Sequence, residues 1–160
     1  MDSHTAYIAL GSNVGDSAAT LLDAVKRIDE IDHTEVLRIS QFVRTAPVGG
    51  PEDQPAYLNA AVCVSTELPP PDLLERLQKI EVALGRDRAR ETRWGPRTCD
   101  LDLLLYDEQT SDTDALTLPH PRMHERRFVL GPLAQIAPRA RHPGLDKTVA
   151  RLLAELESDV

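Results

Sequence analysis

The order of the apolar segments constrains the fold of this chain more than any other feature of its sequence. Alternating apolar residues indicate strands, and apolar residues three or four apart indicate helices. The strand-like segments lie at 5–10, 35–45, 57–67 and 99–106, and the helix-like segments at 16–31 and 69–84. The resulting order, β-α-β-β-α-β, predicts an α+β fold of the ferredoxin-like type, in which an antiparallel sheet carries both helices on one face.

The ends of the two predicted helices carry residues that suit helix termini. Asp16 can cap the first helix, three prolines at 69–71 open the second, and Gly85 ends it. After Asp107 we expect a C-terminal extension with a short strand near 116–118, a proline-interrupted segment and a last helix at about 148–157. No repeat or long linker divides the 160 residues, so we expect a single domain spanning 1–160.

Composition and charge exclude several classes of function. No apolar run approaches the roughly 18–20 residues that a membrane-spanning helix needs, and the first residues do not resemble an export signal, so we expect a cytoplasmic protein. The net charge of -8 argues against a nucleic-acid binder, because such proteins neutralise phosphates. Cys63 and Cys99 lie in apolar segments and are expected to be buried, unpaired thiols.

The segment 97–103, RTCDLDL, is the sharpest local signal. Residues two apart in a strand point to the same face, so Asp100 and Asp102 are predicted to share one face. The other face is predicted to carry Cys99, Leu101, Leu103 and Leu105. Because the strand is otherwise apolar, we expect it to be central, where charged groups are paired or bind metal. Carboxylate oxygens suit Mg²⁺, whereas a solvated strand edge is the alternative interpretation of the pair.

Local positive charge lies immediately upstream of the acidic pair. Five arginines and only two acidic residues occur between Arg86 and Arg97, and further basic residues follow at 122, 126 and 127. Basic patches on an acidic chain favour a small anionic ligand, and beside the carboxylates they indicate a metal–nucleotide. A Walker-type P-loop is absent from the sequence. The loop from Gly11 to Asp16 could bind an anion at a helix N-terminus or be a plain turn.

Four ordered motifs carry a resemblance to a known family. They are AYIALGSN at 6–13, RTAP at 44–47 with QPAYLNAA at 54–61, RWGPRTCDLD at 93–102, and LPHP at 118–121 with RRF at 126–128 and GPL at 131–133. Together they resemble the 6-hydroxymethyl-7,8-dihydropterin pyrophosphokinase family over residues 6–138. The resemblance covers most of the chain.

The resemblance implies that the chain transfers pyrophosphate from ATP to the hydroxymethyl oxygen of the pterin. The products are AMP and the pterin diphosphate, an intermediate of folate biosynthesis. It also implies two Mg²⁺ ions held by Asp100 and Asp102, and catalytic arginines at Arg86, Arg88 and Arg97. The partners it implies are the two small substrates, without nucleic acid or membrane, for a protein that acts as a monomer.

The resemblance further assigns two sets of binding residues. The pterin-binding set is Thr45, Val48, Tyr57, Asn59, Trp94 and Phe128. The ATP-binding set is Gln78, Glu81, Arg88, Trp94, Arg97, His120 and Arg126. Tyr57 and Phe128 would sandwich the flat heterocycle, and the amide of Asn59 would both donate and accept at its edge.

Two alternatives to an active enzyme remain. The chain departs from the family pattern where the loop 86–93 lacks a common lysine and Pro121 replaces a common aromatic residue. A catalytically weak family member is therefore one alternative, and a ferredoxin-like ligand-binding module is the other. An RNA-recognition module is disfavoured because its aromatic strand motif is missing.

Overall fold

A computed structural model describes residues 2–13, 16–45, 56–85 and 99–158. The first part of the chain forms β1 (His4–Ser12), α1 (Ser17–Asp29), β2 (Thr34–Ile39), β3 (Val43–Thr45), β4 (Tyr57–Thr66), α2 (Pro70–Ala83) and β5 (Asp100–Tyr106). The remainder forms β6 (Ser111–Asp112), β7 (Thr117–Leu118), a 3-10 turn (Met123–Glu125), α3 (Arg127–Ile136), β8 (Arg141–His142), β9 (Lys147–Thr148) and α4 (Val149–Ser158).

The main sheet has the strand order β2-β4-β1-β5, and β3 pairs with β4 beside β2. All its pairings are antiparallel. Buried leucines and isoleucines of α1 and α2 form one core cluster on the first face of the sheet. Those of α3 and α4 form a second cluster on the opposite face. The predicted α+β, ferredoxin-like fold is confirmed, and the C-terminal extension supplies the helices that cover the second face.

Both predicted helices of the first face form close to their expected positions. The Asp16 carboxylate accepts a hydrogen bond from the Ala19 backbone N–H at 3.1 Å and so caps α1. Helix α2 begins at Pro70 and is followed by Gly85, whose φ of 99° is unfavourable for other residues. Local signals were sufficient here because capping and termination involve only residues a few positions apart.

Helix α3 was not predicted, although its residues are largely apolar. Pro132 lies inside it, and the pair Gly131-Pro132 is typical of a loop in a sequence taken alone. Leu130 and Leu133 are fully buried against the second face of the sheet. Tertiary burial therefore outweighs the local preference against a helix at this segment.

The single strand predicted at 35–45 is wrong, because the structure contains β2 and β3 with a break at Ser40. At the break the Ser40 N–H donates to the Ala61 carbonyl at 2.9 Å. The Ala61 N–H in turn donates to the Ser40 hydroxyl at 2.9 Å. A side-chain oxygen thus replaces a backbone carbonyl at the break, and both β2 and β3 remain antiparallel to β4.

The central position predicted for β5 is also wrong, since among the described strands it lies at one end of the sheet. It is apolar because helices cover both faces and because the segment after β7 covers its outer edge, where the His120 N–H donates to the Leu104 carbonyl at 2.9 Å. A register shift between Tyr7 and Ile8 leaves Leu104 as an extra residue. Leu105 therefore packs in the second cluster, not with Leu101 and Leu103 as predicted.

Two smaller expectations concern the cysteines and membrane helices. Cys63 and Cys99 are buried and neither forms a disulfide, as predicted. Within the residues that the structure describes, no helix has both the length and the apolar character needed to cross a bilayer.

Replacing Ser40 by alanine is expected to lower the free energy of unfolding by about 1–3 kcal/mol, because the buried Ala61 N–H loses its acceptor. Urea denaturation of both proteins measures this difference. Ser158→Ala is the matched control, since that hydroxyl is exposed and bonds only to Glu155 within its own helix. Equal losses in the two variants would contradict the bridging role of Ser40.

Candidate active site

The candidate site is built from one row of residues across three strands. Asn59 of β4 is paired with Gly11 of β1, and Gly11 is paired with Asp100 of β5. Directly paired residues project from the same face of a sheet. Since neighbouring strands lie about 4.8 Å apart, Asn59 and Asp100 stand roughly 10 Å apart across Gly11. The next row on this face ends in Asp102, which is paired with Ala9.

Gly11 leaves the middle of this row without a side chain. A Cβ atom built on Gly11 would lie 3.2 Å from the Asn59 Oδ1 atom, which is tighter than an ordinary contact. The loop predicted from Gly11 to Asp16 begins too early, because β1 continues to Ser12. Glycine inside an apolar strand commonly marks a close approach of another group, and that was the available signal.

The Asn59 side chain is held in place by Thr45. Its amide N–H donates to the Thr45 hydroxyl at 2.7 Å, across the pairing of β3 with β4. Asn59 is only 6% exposed, whereas Thr45 and Tyr57 are half-buried at the edge of the same face. The structure therefore brings together three predicted pterin-binding residues, with the Asn59 carbonyl oxygen directed toward Gly11.

Asp100 and Asp102 lie on one face of β5, both half-buried, as the alternation predicted. Their carboxylate oxygens suit a hard divalent cation. The residues paired with them, Gly11 and Ala9, are small and leave room for the waters that such a cation keeps. Among the residues that the structure describes, no group of three or more histidine, cysteine or acidic side chains could hold a metal. Two carboxylates with the remaining positions left to other oxygens match the way Mg²⁺ is commonly bound.

His120 lies close enough to Asp102 for the two to interact electrostatically. Burial lowers the pKa of His120, Asp102 opposes this shift, and Arg126 and Arg122 add to it. The Arg122 backbone N–H donates to Nδ1 of His120 at 3.2 Å, so the ring proton of the neutral form is on Nε2. His120 can therefore act as a neutral hydrogen-bond donor.

Arg126 lies over the ring of Phe128, with its guanidinium carbon 5.6 Å from the ring centroid. This distance fits a cation–π contact. Phe128 lies in the first turn of α3 and is 36% exposed, so part of the side chain is accessible to solvent. The ring predicted to stack on the pterin thus also orients an arginine predicted to contact ATP.

Gln78 and Glu81 lie on α2, and their environments differ. Gln78 is exposed. Glu81 is 5% exposed, and its Oε2 atom accepts a hydrogen bond from the Leu101 N–H at 2.9 Å. Glu81 therefore reaches the outer edge of β5 between the two aspartates. The remaining predicted site residues lie outside the described part of the chain: Val48, Arg86, Arg88, Trp94 and Arg97.

Fold and site together define an α+β domain with an acidic pair beside an amide-lined sheet face. Crystal structures of Plasmodium falciparum HPPK-DHPS share this fold: the wild type with pteroate gives a TM-score of 0.76 at 14% identity. The match covers 98% of this chain and 43% of that one. This chain thus spans less than half the length of the larger protein, and the likeness concerns the fold.

The family model for 7,8-dihydro-6-hydroxymethylpterin-pyrophosphokinase (HPPK) matches residues 7–138. Two relatives are named 2-amino-4-hydroxy-6-hydroxymethyldihydropteridine pyrophosphokinase. The Bacillus subtilis protein is 50% identical over 134 residues, 84% of this chain and 78% of its own length. The Methylorubrum extorquens protein is 47% identical over 152 residues, 95% of this chain and 93% of its own. The chain belongs to the HPPK family, which confirms the resemblance seen in its motifs.

Titration of the His120 ring followed by NMR is expected to give a pKa below 6.5, because burial disfavours the charged form. Asp102→Asn should lower this pKa further, since the substitution removes the negative charge that favours the imidazolium. Asp32→Asn, an equal charge change at an exposed turn, is the control and should have no effect. An unchanged His120 pKa in Asp102→Asn would contradict the interaction between the two residues.

Proposed function

We propose that this chain transfers the pyrophosphoryl group of ATP to the hydroxymethyl oxygen of 6-hydroxymethyl-7,8-dihydropterin. The products are AMP and the pterin diphosphate, a step of folate biosynthesis. The observation that carries the proposal is the acidic pair, Asp100 and Asp102, on the same sheet face as Asn59 in a chain of the HPPK family. One face thereby offers carboxylates for a metal-bound polyphosphate and an amide for a heterocycle.

Asp100 and Asp102 are proposed to hold two Mg²⁺ ions through their carboxylate oxygens. When bound, these ions neutralise the triphosphate and align the attacking and leaving oxygens. The protein positions the two carboxylates. β5 holds both on one face, and its pairing with β1 places Asp100 beside Gly11 and Asp102 beside Ala9. Such transfers depend chiefly on positioning and on electrostatic stabilisation.

The pterin is proposed to lie on the sheet face above Gly11. Asn59 presents its carbonyl oxygen to the ring edge while its amide group is held by Thr45 at 2.7 Å. Tyr57 and Phe128 are proposed as the stacking residues, with Val48 and Trp94 completing the pocket. Gly11 suits a flat pterin ring at this position, because it has no side chain to project into the space that the ring would occupy.

The ATP phosphates are proposed to bind on the basic side of the same face. His120 donates from Nε2 in its neutral form, and Arg126 supplies positive charge while stacked on Phe128. The family resemblance adds the arginines Arg86, Arg88 and Arg97 to this role, and it adds Gln78, Glu81 and Trp94 near the nucleotide. Cations around the phosphates offset the charge that accumulates during transfer.

An AMP-release assay with ATP, Mg²⁺ and the pterin tests the function. Wild-type protein is expected to form AMP only when both the pterin and Mg²⁺ are present. Asp102→Asn should lower the rate at least about a hundredfold, since several kcal/mol of charge stabilisation depend on the metal. Asp32→Asn is the charge-matched control. ADP in place of AMP would contradict attack at the β-phosphorus, and pterin binding without any nucleotide product would favour the weak or binding-only alternatives.

Gly11→Ala is expected to raise the KM for the pterin roughly tenfold to a hundredfold. The added methyl group would lie 3.2 Å from Asn59 Oδ1 and would project into the proposed ring layer, an overpacking cost of about 1–3 kcal/mol. Steady-state kinetics with the KM for ATP as reference measures the effect. Gly131→Ala is the control, because a Cβ there meets nothing within 4 Å. Equal changes in both KM values would contradict the assigned position of the ring.

A further inference from the structure

Glu81 is a buried carboxylate with a specific backbone partner. It belongs to the last turn of α2, is 5% exposed, and accepts a hydrogen bond from the Leu101 N–H at 2.9 Å. Buried carboxylates are costly unless they are hydrogen-bonded, and a bond to an ionised acceptor is stronger than one between neutral groups. The Glu81 carboxylate is therefore expected to stabilise the backbone of β5 at Leu101.

The Leu101 N–H belongs to the peptide group that joins Asp100 to Leu101. A peptide group is planar, so fixing the direction of its N–H also fixes the direction of the Asp100 carbonyl and restricts the ψ angle of Asp100 and the φ angle of Leu101. Asp102 follows one residue later. A single hydrogen bond at Leu101 thus constrains the relative direction of the two carboxylates that are proposed to hold Mg²⁺.

The position of β5 in the sheet explains why such an acceptor is needed. Among the described strands β5 is the last of the sheet, and every second N–H of an end strand lacks a strand partner. Further along the strand, the outer edge is engaged through the His120 N–H and the Leu104 carbonyl. Near the acidic pair, Glu81 supplies the missing acceptor from a helix.

Helix α2 holds Glu81 rigidly relative to β5. Leu77 and Ile80 of α2 pack in the same buried cluster as Leu101 and Leu103. The backbone of Glu81 is therefore fixed by apolar packing, and its carboxylate is fixed by the Leu101 N–H. Side chains whose rotamers are locked in this way can hold a functional group within a fraction of an ångström.

We propose that Glu81 is a positioning residue that sets the geometry of the Asp100–Asp102 pair for divalent cations. The proposal rests on the proposed function and assigns Glu81 a role that acts through the Leu101 peptide group. In this role Glu81 is required for metal affinity in the absence of nucleotide. A direct ligand of ATP would be required only when the nucleotide is bound.

Two substitutions separate the hydrogen bond from the other properties of Glu81. Glu81→Met keeps the volume and removes the oxygen acceptor, whereas Glu81→Gln keeps an oxygen acceptor and removes the charge. Glu75→Met is the matched control on the same helix, because Glu75 is exposed and pairs only with Lys79 in the described structure. Each protein is studied without nucleotide, with Mn²⁺ as the probe for the metal site.

Two measurements do not depend on turnover. Amide hydrogen exchange followed by NMR should show a protected Leu101 N–H in wild type and Glu81→Gln, and faster exchange in Glu81→Met. Broadening of the Asp100 and Asp102 amide signals by Mn²⁺ should need about 10–100-fold more metal in Glu81→Met, the usual loss when a residue supporting a metal ligand is removed. The Mg²⁺ concentration for half-maximal AMP release should rise in parallel, with the KM for the pterin unchanged.

Several results would overturn the proposal. Unchanged Mn²⁺ binding in Glu81→Met would show that the hydrogen bond does not position the pair. Equal weakening in Glu81→Gln and Glu81→Met would assign the effect to charge. If Glu81→Met does not fold, rapid exchange of Leu101 in folded wild type would be sufficient to reject the proposal. A wild-type protein that releases no AMP would overturn the proposed function alone, because exchange and Mn²⁺ binding can still be measured.

Discussion

The pairing of β1 between β4 and β5 is the interaction on which the rest of the structure depends. Among the described strands, β1 lies between β4, which carries Asn59, and β5, which carries Asp100 and Asp102. Its register places Gly11 between Asn59 and Asp100. A shift by one residue would turn every side chain of a strand to the other face, so the apolar pattern of β1 holds this row in place.

The sheet has two local irregularities, the extra residue in β5 and the break between β2 and β3, and both affect which side chains lie on each face. The extra residue at Leu104 shifts the alternation along β5, so Leu105 packs in the second cluster and Tyr106 in the first. Beyond the break at Ser40, β3 continues along β4 to the end of the sheet where Thr45 bonds to Asn59.

Local sequence signals were sufficient for part of the fold and part of the site. The alternation around Asp100 and Asp102 predicted their shared face, because that relation involves residues two apart. The end position of β5, the broken strand at Ser40 and helix α3 were missed, since each depends on contacts between residues distant in sequence. The role of Gly11 was missed for the same reason: its neighbour Asn59 is known only once the register between β1 and β4 is known.

The electrostatics of the site follow from the same arrangement. Asp102 and the arginines Arg126 and Arg122 all lie close enough to His120 to change its pKa, and the carboxylate and the arginines act in opposite directions. A chain with a net charge of -8 gains nothing for polyphosphate binding from its overall field, so attraction must be local. Carboxylates beside cationic groups fit a metal-bound polyphosphate, because the carboxylates can bind the metal ions and the cationic groups can bind the phosphate oxygens. A neutral His120 suits this position, because it donates a hydrogen bond to an oxygen without adding a positive charge next to the metal site.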